Sequence, residues 1–286
     1  MQRLALFTVL IFIAAVNAQA KLKISVYTAS PDGFLATSTL IAGEKDAVLI
    51  DGQFTLSDAH KLAAFLLESK KNVGTIYVTH FHPDHYFGIV VVKQAFPAAK
   101  VVALPTTIEE IKASWEGKVK QWGPMYGMNL TTTPVIPEPL DGTSINLEGE
   151  TIQVVGNVQG DSKHNSYVWV PSLKTLIAGD IVFSGVYPWT LESSRAERKA
   201  WVKALEKIIA LNPETVVAGH KKPESADSIA AVEFTKSYLT YYESALASSK
   251  SADEFMGKIK AKFPNLTLDI ILKLAADAAF PAPAKK

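Results

Sequence analysis

The hydrophobic and polar positions divide the chain into runs of two kinds. Strand character marks Lys23 to Ala29, Phe34 to Ala42 and Ala47 to Asp51, which are separated by the turn residues Pro31-Asp32-Gly33 and Gly43-Glu44-Lys45-Asp46. Such runs predict a β-meander. An amphipathic helix follows from about Leu56 to Ser69, with Leu62, Phe65 and Leu66 on one face, and His60 on it is expected to be a solvated surface histidine. Gly74 to Thr79 is a further strand, Asp84 to Phe96 a helix, Lys100 to Leu104 a strand closed by Pro105, and Thr106 to about Lys120 a helix. From Trp122 to Met128, and on through Thr-Pro-rich sequence to Pro139, strong periodicity is missing. The segment fits either a lid or pocket wall, or a surface excursion using its aromatics as local core.

In the second half, Ser144 to Leu147 and Thr151 to Val155 are expected strands, and a polar loop spans Gly156 to Asn165. Ser166 to Val170 and Thr175 to Ala178 form a hairpin around Pro171-Ser172, a helix covers Ser193 to Ala210, and Thr215 to Ala218 is a strand. Ala226 to Ala247, Asp253 to Phe263 and Leu266 to Ala279 are helical in pattern. Strands interleaved with helices, and no low-complexity linker, predict one domain over residues 21–286 that ends in C-terminal helices.

Composition narrows the partners. With 29 Lys and Arg against 28 Asp and Glu, no global field favours nucleic acid or an anionic membrane surface, so a small-molecule substrate is expected instead. Residues 1–20 have the make-up of a signal peptide: Arg3 near the start, an apolar stretch from Leu4 to Val16, and Ala18-Gln19-Ala20 as a cleavage site. The chain is therefore expected to be exported, periplasmic or secreted, beginning at Lys21 and free of the membrane once cleaved. The absence of cysteine excludes disulfides, thiolate ligands and a cysteine nucleophile.

The chemistry concentrates in Thr79-His80-Phe81-His82-Pro83-Asp84-His85, which follows the β-branched run and precedes the helical one. Three of the six histidines fall here. Imidazole nitrogen and carboxylate oxygen are ligands that zinc accepts, and four such side chains on one loop could serve two cations. The bland alternative is a strand-to-helix turn capped by Asp84. Three more loops at strand ends carry the same residue types: Gly156 to Asn165, Asp180 after Gly179, and His220 after Gly219. Their recurrence favours a shared site, because catalytic groups of layered α/β proteins collect where strand ends converge.

Thr79-His80-x-His82-x-Asp84-His85, Gly179-Asp180 and Ala218-Gly219-His220, in this order behind apolar strands, resemble the metallo-β-lactamase-fold hydrolases over nearly the whole mature chain. The resemblance implies an α/β, four-layer αββα sandwich with a dinuclear zinc site at one edge. It assigns His80 and His82 to the first metal, Asp84, His85 and His220 to the second, Asp180 as the bridge, and Asp51 as a buttress of the histidine loop. The family's remaining ligand is a histidine in a Gly-His-Thr type loop, for which this chain has no counterpart. His164 has the right chemistry and is taken as the remaining ligand, although it lies closer to Asp180 than the pattern expects; Gln159 and Asp161 fit the spacing better. An oxygen ligand there would weaken the first metal or admit iron or manganese.

The expected function is hydrolysis of a small ester, lactone, thioester or cyclic amide by a metal-bound hydroxide, with Asp84 also serving as the catalytic carboxylate that orients the hydroxide or passes its proton on. An aspartate at the bridging position resembles the thioesterase, lactonase and phosphodiesterase branches more than the β-lactam-cleaving enzymes. Tyr187, Trp189 and the segment from Trp122 to Met128 are candidates for pocket wall or for ordinary core. The competing reading is a catalytically weak module that holds metal or ligand without turnover.

Overall fold

The computed structural model describes residues 22–281, so the expected signal peptide over residues 1–20 lies outside the described residues. The first half is strands β1 (Lys23–Thr28), β2 (Thr37–Ala42) and β3 (Asp46–Ile50), helix α1 (Leu56–Glu68), β4 (Asn72–Val78), α2 (Ile89–Ala95), β5 (Lys100–Ala103), α3 (Pro105–Tyr126) and β6 (Glu138–Pro139). Their strands form one sheet in the order β1-β2-β3-β4-β5-β6, antiparallel up to β3 and parallel from there. The second half is β7 (Ser144–Leu147), β8 (Glu150–Val158), β9 (Asn165–Val170), β10 (Thr175–Ile177), β11 (Phe183–Ser184), α4 (Arg195–Ala210), β12 (Thr215–Val217), β13 (His220–Lys221), α5 (Ala230–Ser248), α6 (Ala252–Lys262) and α7 (Asp269–Ala279). Here the order is β12-β10-β9-β8-β7, with β11 and β13 paired separately.

Alternation along the strands builds the layers. Successive side chains point to opposite faces. Ile41, Ile50 and Tyr77 therefore meet Ile152, Val154 and Val168 between the two sheets, while their neighbours Leu40, Leu49 and Ile76 pack outward with Leu62, Leu66 and Val92 of α1 and α2. On the far side Leu176 and Val216 meet Trp201, Leu205 and Leu239 of α4 and α5. The result is the four-layer αββα sandwich. α6 and α7 cover the end of α5 through Tyr242, Phe255, Ile259 and Leu272.

Where α2 and α3 depart from the expected spans, a tertiary contact accounts for it. The helix expected from Asp84 starts only at Ile89, behind a 3-10 turn over Pro83–His85. Gly52 N–H donates to His85 O at 2.6 Å and Gly88 N–H to Gln53 O at 2.8 Å, so the loop after β3 claims groups a helix would have used. α3 continues to Tyr126 because Trp122 and Tyr126, one turn apart, both pack edge-on against Phe54. Phe34 and Leu35 leave the expected strand with φ of 57° and 55°. His60 is exposed on α1, as expected.

The junction of β1 with α1 is held by a buried carboxylate. Asp58 accepts hydrogen bonds from Ser30 Oγ at 2.7 Å, Thr55 Oγ1 at 3.0 Å and Tyr27 Oη at 3.2 Å. Against burial, the hydroxyl and backbone donors of Ser30 and the hydroxyl of Thr55 hold this carboxyl below its ordinary value. Its contribution is therefore complete above the unfolded value of about pH 4 and is lost as pH falls further. Asp58→Ala is expected to destabilise the fold by about 1–3 kcal/mol near neutrality. Thermal melts at pH 7 and about pH 3.5 check it, since the gap between variant and parent should shrink in acid.

Candidate metal centre

Four loops meet at one edge of the sandwich. The first is delivered by β4: Thr79 is pinned by Asp51, whose carboxylate accepts from Thr79 N–H and Thr79 Oγ1, both at 2.8 Å. The same carboxylate lies 2.7 Å from His85 Nδ1 and accepts its proton bond. That bond fixes the tautomer and leaves Nε2 free to ligate, which is how an outer carboxylate orients a ligating imidazole. Ser166 at the start of β9 donates to Thr79 O at 2.6 Å and accepts from Tyr77 Oη at 2.7 Å, joining the two sheets beside the loop.

Asp180 follows β10 in a tight 3-10 turn, with Gly179 at φ 51°. His220 opens β13, three residues beyond the neighbouring strand β12 and behind Gly219. Gly219 N–H donates to Gly179 O at 3.0 Å and Val182 O at 2.9 Å, and a Cβ at Gly219 would collide with the Asp180 carboxylate. Only glycine lets these two loops close on each other. His220 Nδ1 donates to Phe34 O at 2.6 Å, which turns Nε2 toward Asp180 Oδ2 and Asp84 Oδ2, each 3.2 Å away.

Two ligand sets result. His80, His82, Asp161 and Asp180 each offer an atom within 4.8 Å of the others, and Asp84, His85 and His220 do the same beside them. Asp180 touches both, with Oδ1 3.1 Å from His85 Nε2 and Oδ2 3.7 Å from His80 Nε2. Six of the seven sequence candidates, His80, His82, Asp84, His85, Asp180 and His220, are thus brought together.

His164 is not, and this corrects the choice made on chemistry. It sits just before β9, its ring about one-third exposed and 2.7 Å from Glu110 of α3. Asp161 takes the position instead. Its N–H donates to Asp180 O at 3.1 Å, and its Oδ1 accepts from Asn165 Nδ2 at 3.0 Å. These bonds direct Oδ2 at His82 Nδ1, 2.9 Å away. Gln159, the other spacing candidate, spends its amide on Gly160 O and Ser162 O. Spacing from Asp180 was the better signal; side-chain type was misleading.

Sequence reasoning missed Glu192, which precedes α4 and carries no motif. Its Oε2 lies 3.2 Å from His82 Nε2 and its Oε1 3.2 Å from Lys118 Nζ. Glu192 accepts from His82 Nε2–H and so presents Nδ1 to the cluster. Glu192→Ala is expected to weaken metal binding about 10–100-fold, read by competition with a chromogenic chelator. Unchanged affinity would remove Glu192 from this positioning role.

Electrostatically the site calls for positive charge. Burial disfavours the charged imidazoles, but Asp161 and Glu192 push His82 up to about 10, and Asp180 with Asp84 does the same for His220. His85 is likewise raised against burial by Asp180 and Asp51. His80 goes the other way, held well below the usual range by burial and by the charge on His85. Burial and the nearby Asp180 lift Asp161 to about 6 despite His82, whereas Glu192 is drawn down to about 2 by His82 and Lys118 against burial. Carboxylates that stabilise imidazolium this strongly stabilise any cation placed among them. Moreover, His80 Nε2, Asp161 Oδ2 and Asp180 Oδ1 are buried and have near neighbours only among the other ligand atoms of the cluster. Buried polar atoms need partners, and these three belong to one ligand set. The residues fit divalent metal.

A cavity opens over the cluster, with His82, Asp84, Asp180 and His220 on its floor. Trp122, Tyr187 and Trp189 stand in its wall. Met125 and Met128 instead point into solvent, 69% and 97% exposed. Among the described residues no helix is long and apolar enough to cross a membrane.

Fold and site together fit the class of metal-dependent hydrolases. Residues 31–220 match the metallo-beta-lactamase superfamily, and the chain belongs to it. A metallo-beta-lactamase family protein from Thermus thermophilus superposes with a TM-score of 0.63 at 21% identity, covering 90% of this chain and 91% of the other. The DIM-1 metallo-beta-lactamase gives 0.56 at 21% identity over 78% of this chain and 98% of its own. A metallo-beta-lactamase from Pontibacter korlensis gives 0.56 at 19% identity over 79% and 96%. At such identities the likeness is one of fold. No curated protein matches the chain by sequence.

Proposed function

We propose that this chain is an exported hydrolase of small molecules that works with divalent cations, zinc foremost and two per chain, and cleaves an ester, lactone, thioester or cyclic amide. The observation that carries the reading is the convergence of buried ligand atoms from His80, His82, Asp161 and Asp180, which face one another beneath an open cavity. His80, His82 and Asp161 would hold one cation, Asp84, His85 and His220 the other, with Asp180 shared. When bound, such cations polarise a carbonyl as Lewis acids and make water acidic enough to act as a nucleophile near neutrality. The donor set mixes imidazole with carboxylate, which suits zinc, and the oxygen of Asp161 where a nitrogen would be softer leaves iron or manganese as the next choices.

The chain's own groups then order the reaction. Asp51 and Glu192 hold His85 and His82 in the ligating tautomer, and Phe34 O does so for His220. Asp84 is the least buried carboxylate of the cluster and faces the cavity, so its free oxygen is placed to receive a proton and pass it to the leaving group. Export is proposed from the character of residues 1–20, and N-terminal sequencing of the processed protein should begin at Lys21.

Asp84→Ala is expected to lower hydrolysis at least about 10²-fold while leaving the thermal melt in chelator close to that of the chelator-treated parent. A panel of esters, lactones, thioesters and β-lactams, run with and without chelator beside elemental analysis, tests the whole reading. Tightly held metal with no turnover on any class would favour the binding module.

A further inference from the structure

The cavity above the cluster differs sharply from its floor. Its upper wall is apolar: Trp122 of α3, Trp189, and Leu268 with Ile271 at the start of α7. Trp122 packs edge-on against Phe34, which also lines the cavity, with ring centres 5.5 Å apart. Aside from histidine, the one cationic side chain among the described lining residues is Lys118. It is already committed, its Nζ 3.2 Å from Glu192 Oε1 and 5.4 Å above the Phe81 ring. A substrate carboxylate would find no free counter-ion on the wall and would have to break that pair. Lys221, next to His220, is turned away and bonded to Asp227 at 2.6 Å.

The wall is also held at a conformational cost. Leu268 sits in the left-handed region at φ 68°, ψ 51°, at the N-cap of α7. A bulky L-residue is strained there, where glycine or asparagine would rest more easily. Its side chain is delivered to the cavity. Strain of this kind persists where the surroundings over-determine it, which is common at ligand sites.

We propose that the pocket selects an uncharged carboxylic ester, open or cyclic, bearing an apolar chain that lies along Trp122, Leu268 and Ile271, and discriminates against substrates that carry a carboxylate. This rests on the hydrolase reading above. In the reaction the oxygen of water bonds to the acyl carbon, the acyl C–O bond breaks, and the leaving alkoxide takes the proton. The C-terminal helices thereby acquire a role: α7 closes the apolar end of the substrate site.

The experiment uses the full metal-loaded protein and γ-lactones with unbranched tails from methyl to hexyl, each beside its counterpart with a terminal carboxylate. The expected kcat/KM rises about threefold per added methylene, and the carboxylate lowers it at least about tenfold. Flat chain-length dependence, or equal turnover of the anionic members, would overturn the proposal. Leu268→Gly relieves the backbone strain, which offsets part of the packing lost with its side chain, and a thermal melt beside the parent checks that the variant is folded. It is expected to flatten the chain-length series. A full parental slope in that variant would also count against the proposal. Quenching of tryptophan fluorescence by the matching hydrolysis-resistant lactams provides a second reading. If no lactone is cleaved but lactam binding tightens with chain length, the hydrolase reading fails and the pocket assignment stands. If binding shows no such trend, the pocket assignment fails.

Discussion

Asp161→Ala is expected to leave the protein with one tightly held cation instead of two and to reduce hydrolysis by more than about a hundredfold, whereas His164→Ala leaves both unchanged. The contrast follows from placement. Asp161 is fully buried, fixed by Asn165 through one oxygen and directed at His82 Nδ1 through the other. Losing a directly ligating group should exceed the 10–100-fold typical of outer partners. His164 lies in the same loop but spends its ring on a partly exposed pair with Glu110, worth at most about 1 kcal/mol. Metal content by elemental analysis, with kcat/KM for the best substrate, decides it. Full metal in the Asp161 variant, or loss of metal in the His164 variant, would reverse the assignment of the first site.

Chelation is expected to lower the melting temperature by about 8 °C or more. An ion present at about a thousand times its dissociation constant stabilises the native state by about 4 kcal/mol. For a chain of this size that corresponds to roughly 2 °C per kcal/mol. The site gives a reason for a large effect: Asp84, Asp161 and Asp180 are crowded together with Asp51 and Glu192 close behind them. Protons on His82 and His220, which titrate at about 10, are the alternative source of positive charge. Cations must displace those protons, so their affinity falls as pH is lowered and the benefit of metal shrinks toward acid. Scanning calorimetry with and without chelator at two pH values measures both effects. An unchanged melting temperature in a protein shown to contain metal would separate the cluster from folding stability.

Much of this was legible from local patterns. Strand and helix order followed from runs of β-branched residues and helical periodicity, since each element must bury one face. The histidine loop, Asp180 and His220 were visible because each closes an apolar strand, and strand ends in such layered folds converge. The boundary errors at α2 and α3 share one cause. The delayed start of α2 and the added length of α3 are set by the loop after β3, more than fifty residues from Trp122. A local reading has no access to that distance.

What the sequence determined by itself is the residue chemistry and the αββα order of elements, because periodicity and turn residues act over a few positions at a time. What only the tertiary structure decided is which groups face one another. Asp161 rather than His164 meets His82 because its backbone is tied to Asp180 and its side chain to Asn165. Glu192 reaches the same imidazole from another loop altogether. Ligand direction depends on hydrogen bonds between residues far apart in the chain, and those form only when both sheets are packed.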